Sequence, residues 1–174
     1  MAIATAPSAI KTVTLRTFAT RIDIPEKQRA ALIALLNARL ADTIDLKTQA
    51  KYAHWNVKGA QFQQLHELFD RIATNLEAHS DLLAERVTAL GGVANGTARQ
   101  AASASSLAEY ELDAVAGADH VRALAERLAK LAAAVRAAID ESDRLGDKST
   151  ADVFTEISRA ADKDLWFLEA HLQQ

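Results

Sequence analysis

The feature that most restricts the fold of this chain is a set of long stretches without helix-breaking residues. No Gly or Pro interrupts the segments bounded by Pro25, Gly59 and Gly91, or the segments between Gly117 and Gly146 and after Gly146. In a helix interior, Gly and Pro cost about 1 and 3 kcal/mol relative to Ala, whereas Ala and Leu are strong helix formers. With only six Gly and two Pro among 174 residues, the sequence predicts an all-α protein built from long helices.

Apolar residues recur at helical spacing in these stretches and predict four long amphipathic helices. The first begins near Pro25, since Pro is favoured in a first helical turn, and it ends before Gly59, the expected C-terminal cap. The second begins near Phe62 and ends at Gly91, and the third ends before Gly146.

The fourth helix and the connection before the third complete the predicted fold. Ser149-x-x-Asp152 has the pattern of a capping box and predicts that Ser149 opens the fourth helix. Residues 93–115 separate the second and third helices, and a connection of that length is not a tight turn. It is typical of the crossover in a ferritin-like four-helix bundle. We expect a short helix within it, around 98–104.

Length and composition predict one bundle domain, residues 23–174, preceded by a tail, residues 1–22. The tail contains no acidic residue and carries Lys11, Arg16 and Arg21. Its alternating Thr and apolar residues favour a segment that is docked on the surface in part and mobile elsewhere. The same composition also resembles a transit peptide, although the start lacks the features of a secretory signal.

Composition also excludes several classes of function. The chain has no Cys, which rules out disulfides, thiolate zinc sites and Cys nucleophiles. A net charge of −3 argues against a basic nucleic-acid-binding body. No run of about 18 apolar residues is present, so we expect no membrane association.

The second helix carries two pairs of potential metal ligands on one face. His66 and Asp70 are four residues apart, and so are Asp81 and Glu85. The two pairs lie too far apart along one helix to share an ion, because Asp70 and Asp81 are separated by roughly 16 Å of helix rise.

A two-fold axis would bring the pairs together. Both pairs are centred at position 75.5, between Asn75 and Leu76. If two copies of the helix cross antiparallel there, His66 and Asp70 of one chain face Asp81 and Glu85 of the other, and two equivalent sites form. Imidazole and carboxylate ligands without sulfur favour iron or manganese over copper(I) or structural zinc. The alternative is a solvated helix face, which is the usual role of charged residues at this spacing.

The sequence resembles the Dps family of mini-ferritins over about residues 25–172. The resemblance is carried by His54-Trp55-Asn56-Val57-Lys58-Gly59, Phe62, Leu65-His66-Glu67, Phe69-Asp70, Asp81, Ala84-Glu85-Arg86, Thr150-Ala151-Asp152 and Asp164-Leu165-Trp166-Phe167-Leu168-Glu169. It implies that His54, His66 and Asp70 of one subunit bind iron together with Asp81 and Glu85 of its neighbour. All five of these ligand positions are filled without substitution.

The resemblance also implies an activity and an assembly. A Dps protein is expected to be a ferroxidase that oxidises Fe²⁺, with hydrogen peroxide preferred to dioxygen, and that stores the ferric product in a hollow dodecameric shell. This activity protects DNA from oxidative damage. The expected location is the bacterial cytoplasm, with association with the nucleoid where DNA is bound.

Three further roles are suggested for residues outside the ligand set. Trp55 is either a packing aromatic or an oxidisable neighbour of the site that absorbs stray radicals. The family resemblance implies that acidic residues near the last turn line a cation-admitting pore, and a wet turn is the alternative. DNA binding through the tail would use its three basic residues. The pore candidates are Asp143, Asp147 and Asp152, and the tail candidates are Lys11, Arg16 and Arg21.

Rival classes make different demands on the sequence. A di-iron site inside the bundle requires Glu-x-x-His on two helices, and no Glu in this chain is followed by His at that spacing. A purely structural DNA compactor, or an inert helical assembly module, would not need five intact ligands. The remaining histidines, His79, His120 and His171, have no partner at ligand spacing and are predicted to be ordinary.

Overall fold

The structure is a computed structural model that describes residues 16–173. It contains five helices in this part of the chain: α1 (Glu26–Asn56), α2 (Phe62–Ala89), α3 (Ala98–Ala104), α4 (Gly117–Arg144) and α5 (Lys148–Ala170). No strand is present among the described residues, and a single isolated bridge links Lys58 to Ala116. The predicted all-α class is therefore confirmed.

Four long helices pack around one apolar core, with α1 beside α2 and α4 beside α5. Each contributes fully buried side chains at helical spacing, such as Leu36 from α1, Phe69 from α2, Leu128 from α4 and Phe154 from α5. The short α3 lies within the connection between α2 and α4 and packs on α1. This order is that of a ferritin-like bundle with a long crossover.

Two of the helices end at Gly residues, as the sequence predicts. Gly91 and Gly146 have φ values of 86° and 82°, in the left-handed region that a side chain disfavours. After α2, the N–H of Gly91 donates to Thr88 O at 2.9 Å and that of Gly92 to Val87 O at 2.9 Å, which is a Schellman motif. At α1 the prediction was wrong: the cap is Val57, and Gly59 lies in the following turn.

The start of α5 differs from the sequence prediction. The N-cap is Asp147, whose side chain accepts a hydrogen bond from Thr150 N at 3.1 Å. Ser149 lies inside the first turn and does not cap the helix. A complete capping box is instead present at α3, between Thr97 and Gln100. Asp147 is held at the cap position by Arg86 of α2, which is distant in sequence.

The crossover is fastened to α1 by side-chain hydrogen bonds. Asp42 accepts from Ser106 N at 2.7 Å, and Asp45 accepts from the Ser105 hydroxyl at 2.6 Å. One to two turns later, Gln49 donates to Ala108 O. These contacts hold an otherwise irregular segment against the bundle.

The segment before α1 is docked in its described part. The N–H of Phe18 donates to Gly91 O at 2.8 Å, so this segment lies against the end of α2. Ile22 and Ile24 pack on the core. No helix among residues 16–173 is both long and apolar enough to cross a bilayer.

Candidate metal site

The two predicted histidine ligands lie together although they come from different helices. The turn around Gly59 folds the start of α2 back beside the end of α1. The rings of His54 and His66 stack with centroids 3.7 Å apart and planes inclined by 23°. Phe62 covers the outer side of His66 at 5.0 Å between ring centroids.

Hydrogen bonds fix the orientation and the tautomer of both rings. His54 Nδ1 lies 2.8 Å from the carbonyl oxygen of His66, and His66 Nδ1 lies 2.7 Å from the carbonyl oxygen of His54. A carbonyl oxygen only accepts, so each Nδ1 carries the proton and donates it. In the neutral form of each ring the lone pair is then on Nε2, which is the arrangement that metal-binding histidines adopt.

Asp70 lies one turn along α2 from His66 and contacts a lysine that the sequence analysis missed. Lys51 Nζ, from α1, lies 2.6 Å from Asp70 Oδ1. The hydrogen bond from Lys51 lowers the pKa of the Asp70 carboxyl, so it is ionised at neutral pH. The signal was present in the sequence, because Lys51 precedes His54 by three residues and so shares its side of α1.

Asp81 and Glu85 lie on the exposed side of α2, far from the other three ligands. The helix is continuous from Phe62 to Ala89, so helix rise separates Asp70 from Asp81 by roughly 16 Å. Among residues 16–173, no three His, Asp or Glu side chains come close enough to hold a metal ion. Within one chain, the five predicted ligands therefore form two separate groups, one of them with both histidines.

Asn75 and Leu76 are nearest to the predicted crossing point in sequence, but their side chains turn inwards. Leu76 is buried in the core, and Asn75 turns towards α5, where its amide donates to Asp164 Oδ2 at 2.9 Å. The exposed residues centred on the same position are Thr74 and Glu77. A partner helix crossing there would meet these two residues, because helix periodicity directs Asn75 and Leu76 inwards.

Trp55, the residue after His54, is exposed and does not pack in the core of the chain. Its side chain is 64% exposed, and Lys51 Nζ lies 5.8 Å from its ring centroid. It lines a groove between α1 and the crossover together with Tyr52 and Tyr110. An exposed indole of this kind is accessible to oxidants in solution.

The acidic turn before α5 divides into residues with different roles. Asp147 is only 3% exposed, and both of its carboxylate oxygens accept hydrogen bonds from Arg86 of α2, at 2.9 and 2.8 Å. Its assignment to a pore is therefore wrong, because a buried, doubly bonded carboxylate presents no charge to passing cations. Asp143 is paired with Lys148, and Asp152 is exposed in the second turn of α5.

The basic residues of the tail fall into two groups. Lys11 lies outside the described residues, whereas Arg16 and Arg21 are exposed on the docked segment. These two arginines are thus available on the surface without any rearrangement of the chain.

The fold and the site define a class of protein, the ferritin-like helical bundles. A family model for the ferritin-like domain matches residues 33–174. The chain is also similar to DpsA14 from Streptomyces coelicolor, with 31% identity, a TM-score of 0.87, and coverage of 92% of this chain and 95% of that one.

Within this class, the chain belongs to the Dps family. It is 46% identical over 160 residues to a DNA protection during starvation protein from Agrobacterium fabrum, covering 92% of this chain and 99% of that protein. It is also similar to Dps from Microbacterium arborescens, solved in a high iron form, with 33% identity, a TM-score of 0.81, and coverage of 90% of this chain and 100% of that one.

Proposed function

We propose that this protein is a ferroxidase and iron store. It binds Fe²⁺ as substrate at sites shared between subunits, oxidises it preferentially with hydrogen peroxide, and stores the ferric product inside a dodecameric shell. By removing both reactants that generate hydroxyl radicals, it protects DNA. A cytoplasmic location follows from this role.

The observation that supports this proposal best is the reciprocal hydrogen bonding of His54 and His66. It leaves two Nε2 lone pairs free on adjacent rings, with the ionised Asp70 one turn away. Two exposed carboxylates, Asp81 and Glu85, lie at the spacing that a two-fold axis brings opposite this half-site.

The ligand set suits oxidation of iron. Imidazoles and carboxylates bind Fe²⁺ with moderate affinity, and carboxylates favour the harder Fe³⁺. Two ferrous ions and two protons reduce one hydrogen peroxide to two water molecules, so two irons oxidised together release no hydroxyl radical. Neutral histidines and ionised carboxylates are the protonation states that binding of the metal requires.

Complementation between subunits tests the shared site directly. One variant carries His54→Ala with His66→Ala, and the other carries Asp81→Ala with Glu85→Ala. Each is expected to oxidise iron slowly on its own. When the two are unfolded, mixed equally and reassembled, random pairing restores roughly a quarter of the wild-type sites, because half of the interfaces are mixed and each of these contains one intact site.

Native mass measurement provides the control for assembly. Every preparation should have a mass near 226 kDa, about twelve times the 18.8 kDa of one chain. Mixed shells of this mass that oxidise iron as slowly as either double variant alone would reject the proposal that sites are shared between subunits. Wild-type shells that oxidise ferrous iron with peroxide no faster than buffer without protein would reject the ferroxidase.

DNA binding is a second candidate function, favoured by the surface of the tail. Arg16 and Arg21 are exposed, no acidic residue occurs before Asp23, and repetition of the tail over a shell would multiply weak contacts. Protection of DNA would then combine removal of iron with physical contact.

We propose that Asp143 and Asp152 of the acidic turn, but not Asp147, have a role in cation entry. Asp152 is exposed and Asp143 is held by an exposed lysine, so both carboxylates lie at the surface. Rings of such carboxylates around a three-fold axis would concentrate Fe²⁺ at an entrance.

A further inference from the structure

We propose that Tyr110 and His120 form a redox pair, in which Tyr110 holds an oxidising equivalent as a neutral tyrosyl radical while His120 holds the phenolic proton. Its role in the oxidation of iron rests on the proposed ferroxidase function. The pair lies outside the five predicted ligands and consists of a crossover residue and a buried residue of α4.

The geometry of the pair is that of a phenol bonded to a base. Tyr110 Oη lies 2.8 Å from His120 Nδ1. His120 is fully buried, and its Nε2 has no hydrogen-bond partner among residues 16–173. Burial lowers the pKa of His120, so the ring is neutral, and the phenol donates to Nδ1. A neutral imidazole in this position is ready to take the proton when the phenol is oxidised.

The surroundings keep the phenol of Tyr110 protonated until it is oxidised. Burial raises the pKa of Tyr110, so the phenol does not ionise at neutral pH. Lys58 is the cation that opposes protonation of His120. Arg127 lies 5.3 Å from the Tyr110 ring centroid, and its positive charge offsets part of the effect of burial on the pKa of Tyr110. Glu111, 3.1 Å from Arg127, offsets part of that charge, and Asp119 favours the protonated His120.

A chain of oxidisable side chains connects the pair to the metal site. Trp55 follows the ligand His54, and Tyr52 lies three residues before Trp55, on the same side of α1. The rings of Tyr52 and Tyr110 are in edge contact, with centroids 5.2 Å apart. Trp55, Tyr52 and Tyr110 line one groove, so an electron can pass between neighbours along it.

The reaction balances with the reactants of the ferroxidase. When a site holds only one Fe²⁺, that ion reduces hydrogen peroxide to hydroxide and a hydroxyl radical, which takes an electron from Trp55 and becomes hydroxide. Trp55 recovers an electron from Tyr110 through Tyr52, and the O–H proton of Tyr110 moves to His120 Nδ1. A second Fe²⁺ then reduces the tyrosyl radical, and the proton returns to Tyr110. The sum is two ferric ions and two hydroxides, with the hydroxyl radical consumed.

The radical can be assigned because the chain contains only two tyrosines, Tyr52 and Tyr110. The assembled full-length protein is oxidised either by Fe²⁺ with peroxide or, without iron, by photogenerated tris(bipyridine)ruthenium(III), and it is then frozen for electron paramagnetic resonance. In the ruthenium experiment, wild type and Tyr52→Phe are expected to show a tyrosyl signal. In Tyr110→Phe, the signal should be lost with either oxidant.

A second variant separates proton acceptance from a structural role. In His120→Gln, the amide oxygen still accepts the hydrogen bond from Tyr110 but does not take its proton. We expect shells of unchanged mass in which the tyrosyl signal is lost. A full signal in His120→Gln would overturn the assignment of His120 as the proton acceptor.

The two oxidants distinguish this proposal from the ferroxidase. Normal iron oxidation without a Tyr110 signal, or a signal that persists in Tyr110→Phe, would overturn the redox pair and leave the ferroxidase standing. A Tyr110 signal with ruthenium in a protein that does not oxidise iron would support the pair and reject the ferroxidase.

Discussion

At the residue scale, the two histidines of the candidate site hold each other in a fixed orientation. Each ring donates to the carbonyl of the other residue, so neither can rotate without breaking a hydrogen bond. Asp70 differs from the histidines, because its carboxylate is already hydrogen-bonded to the ammonium group of Lys51. A metal ion binding to Asp70 must compete with this ammonium group.

The first prediction concerns Lys51. Lys51→Gln should tighten the binding of Zn²⁺, a redox-inert probe, about fivefold, because one positive charge is removed near a dication in a partly solvated site. Isothermal titration of the assembled protein measures this affinity. Lys47→Gln is the matched control, because Lys47 lies one turn earlier on α1 and pairs with Glu77 instead. Equal or weaker binding by Lys51→Gln would contradict competition for Asp70.

At the scale of elements, α5 depends on α2 for the start of its first turn. Asp147 caps the helix through Thr150 and also receives two hydrogen bonds from Arg86. Arg86 donates to Thr150 as well, at 2.9 Å. One buried carboxylate therefore joins the helix cap to a neighbouring helix.

The second prediction tests this cap. Asp147→Ala should lower the free energy of unfolding by about 3 kcal/mol, since it removes an N-cap and leaves the half-buried Arg86 without its partner. The midpoint of thermal unfolding should then fall by about 6–12 °C. Ser149→Ala, at the position that the sequence pattern indicated, should change the free energy by no more than about 0.5 kcal/mol. A larger loss of unfolding free energy in Ser149→Ala than in Asp147→Ala would indicate that Ser149 is the cap.

The third prediction concerns acid stability. Burial alone raises the pKa of Asp147, but hydrogen bonds from Thr150 and Arg86 outweigh it and hold the pKa below the ordinary value of 3.8. Its stabilising contribution is therefore present above about pH 4 and is lost as the pH falls further, because the unfolded chain then binds the proton more readily. Wild type should lose more stability than Asp147→Asn between pH 5 and pH 3, as followed by urea unfolding. Parallel losses would contradict the lowered pKa.

At the scale of the whole molecule, the proposed shell repeats every surface feature of the chain. The described part of each tail, from Arg16 onwards, is docked against the end of α2 through Phe18 and Gly91. Arg16 and Arg21 are thus presented at fixed positions, and Lys11 precedes them in sequence. Weak contacts to phosphate become strong when several tails act together.

The fourth prediction is that DNA contact depends on these charges. A variant with Lys11, Arg16 and Arg21 each replaced by Ala should lose the gel shift of duplex DNA and keep normal iron oxidation. Wild-type binding should weaken steeply with salt, because neutralising phosphates releases counterions.

A matched control removes three exposed arginines from elsewhere, by Arg99→Ala, Arg122→Ala and Arg136→Ala. This control should retain the gel shift. Loss of binding in both triple variants would indicate a response to net charge, and a shift that survives in the tail variant would reject this surface.

The helices and the spacing of the ligands could be predicted from the sequence because both are local. Long stretches without Gly or Pro, Gly at two C-termini, and the short helix at Ala98–Ala104 depend on neighbours within one or two turns. The common centre of the two ligand pairs on α2 is likewise fixed by counting residues along one helix.

Only the tertiary structure decided the choices that depend on residues distant in sequence. Two residues could cap α5, and Arg86, some 61 positions before Asp147, selects between them. Asp70 meets Lys51 across 19 positions, and His54 meets His66 only because the turn at Gly59 reverses the chain. Periodicity specifies which face of a helix a residue occupies, whereas the partner that a buried charge or proton finds depends on how the helices pack.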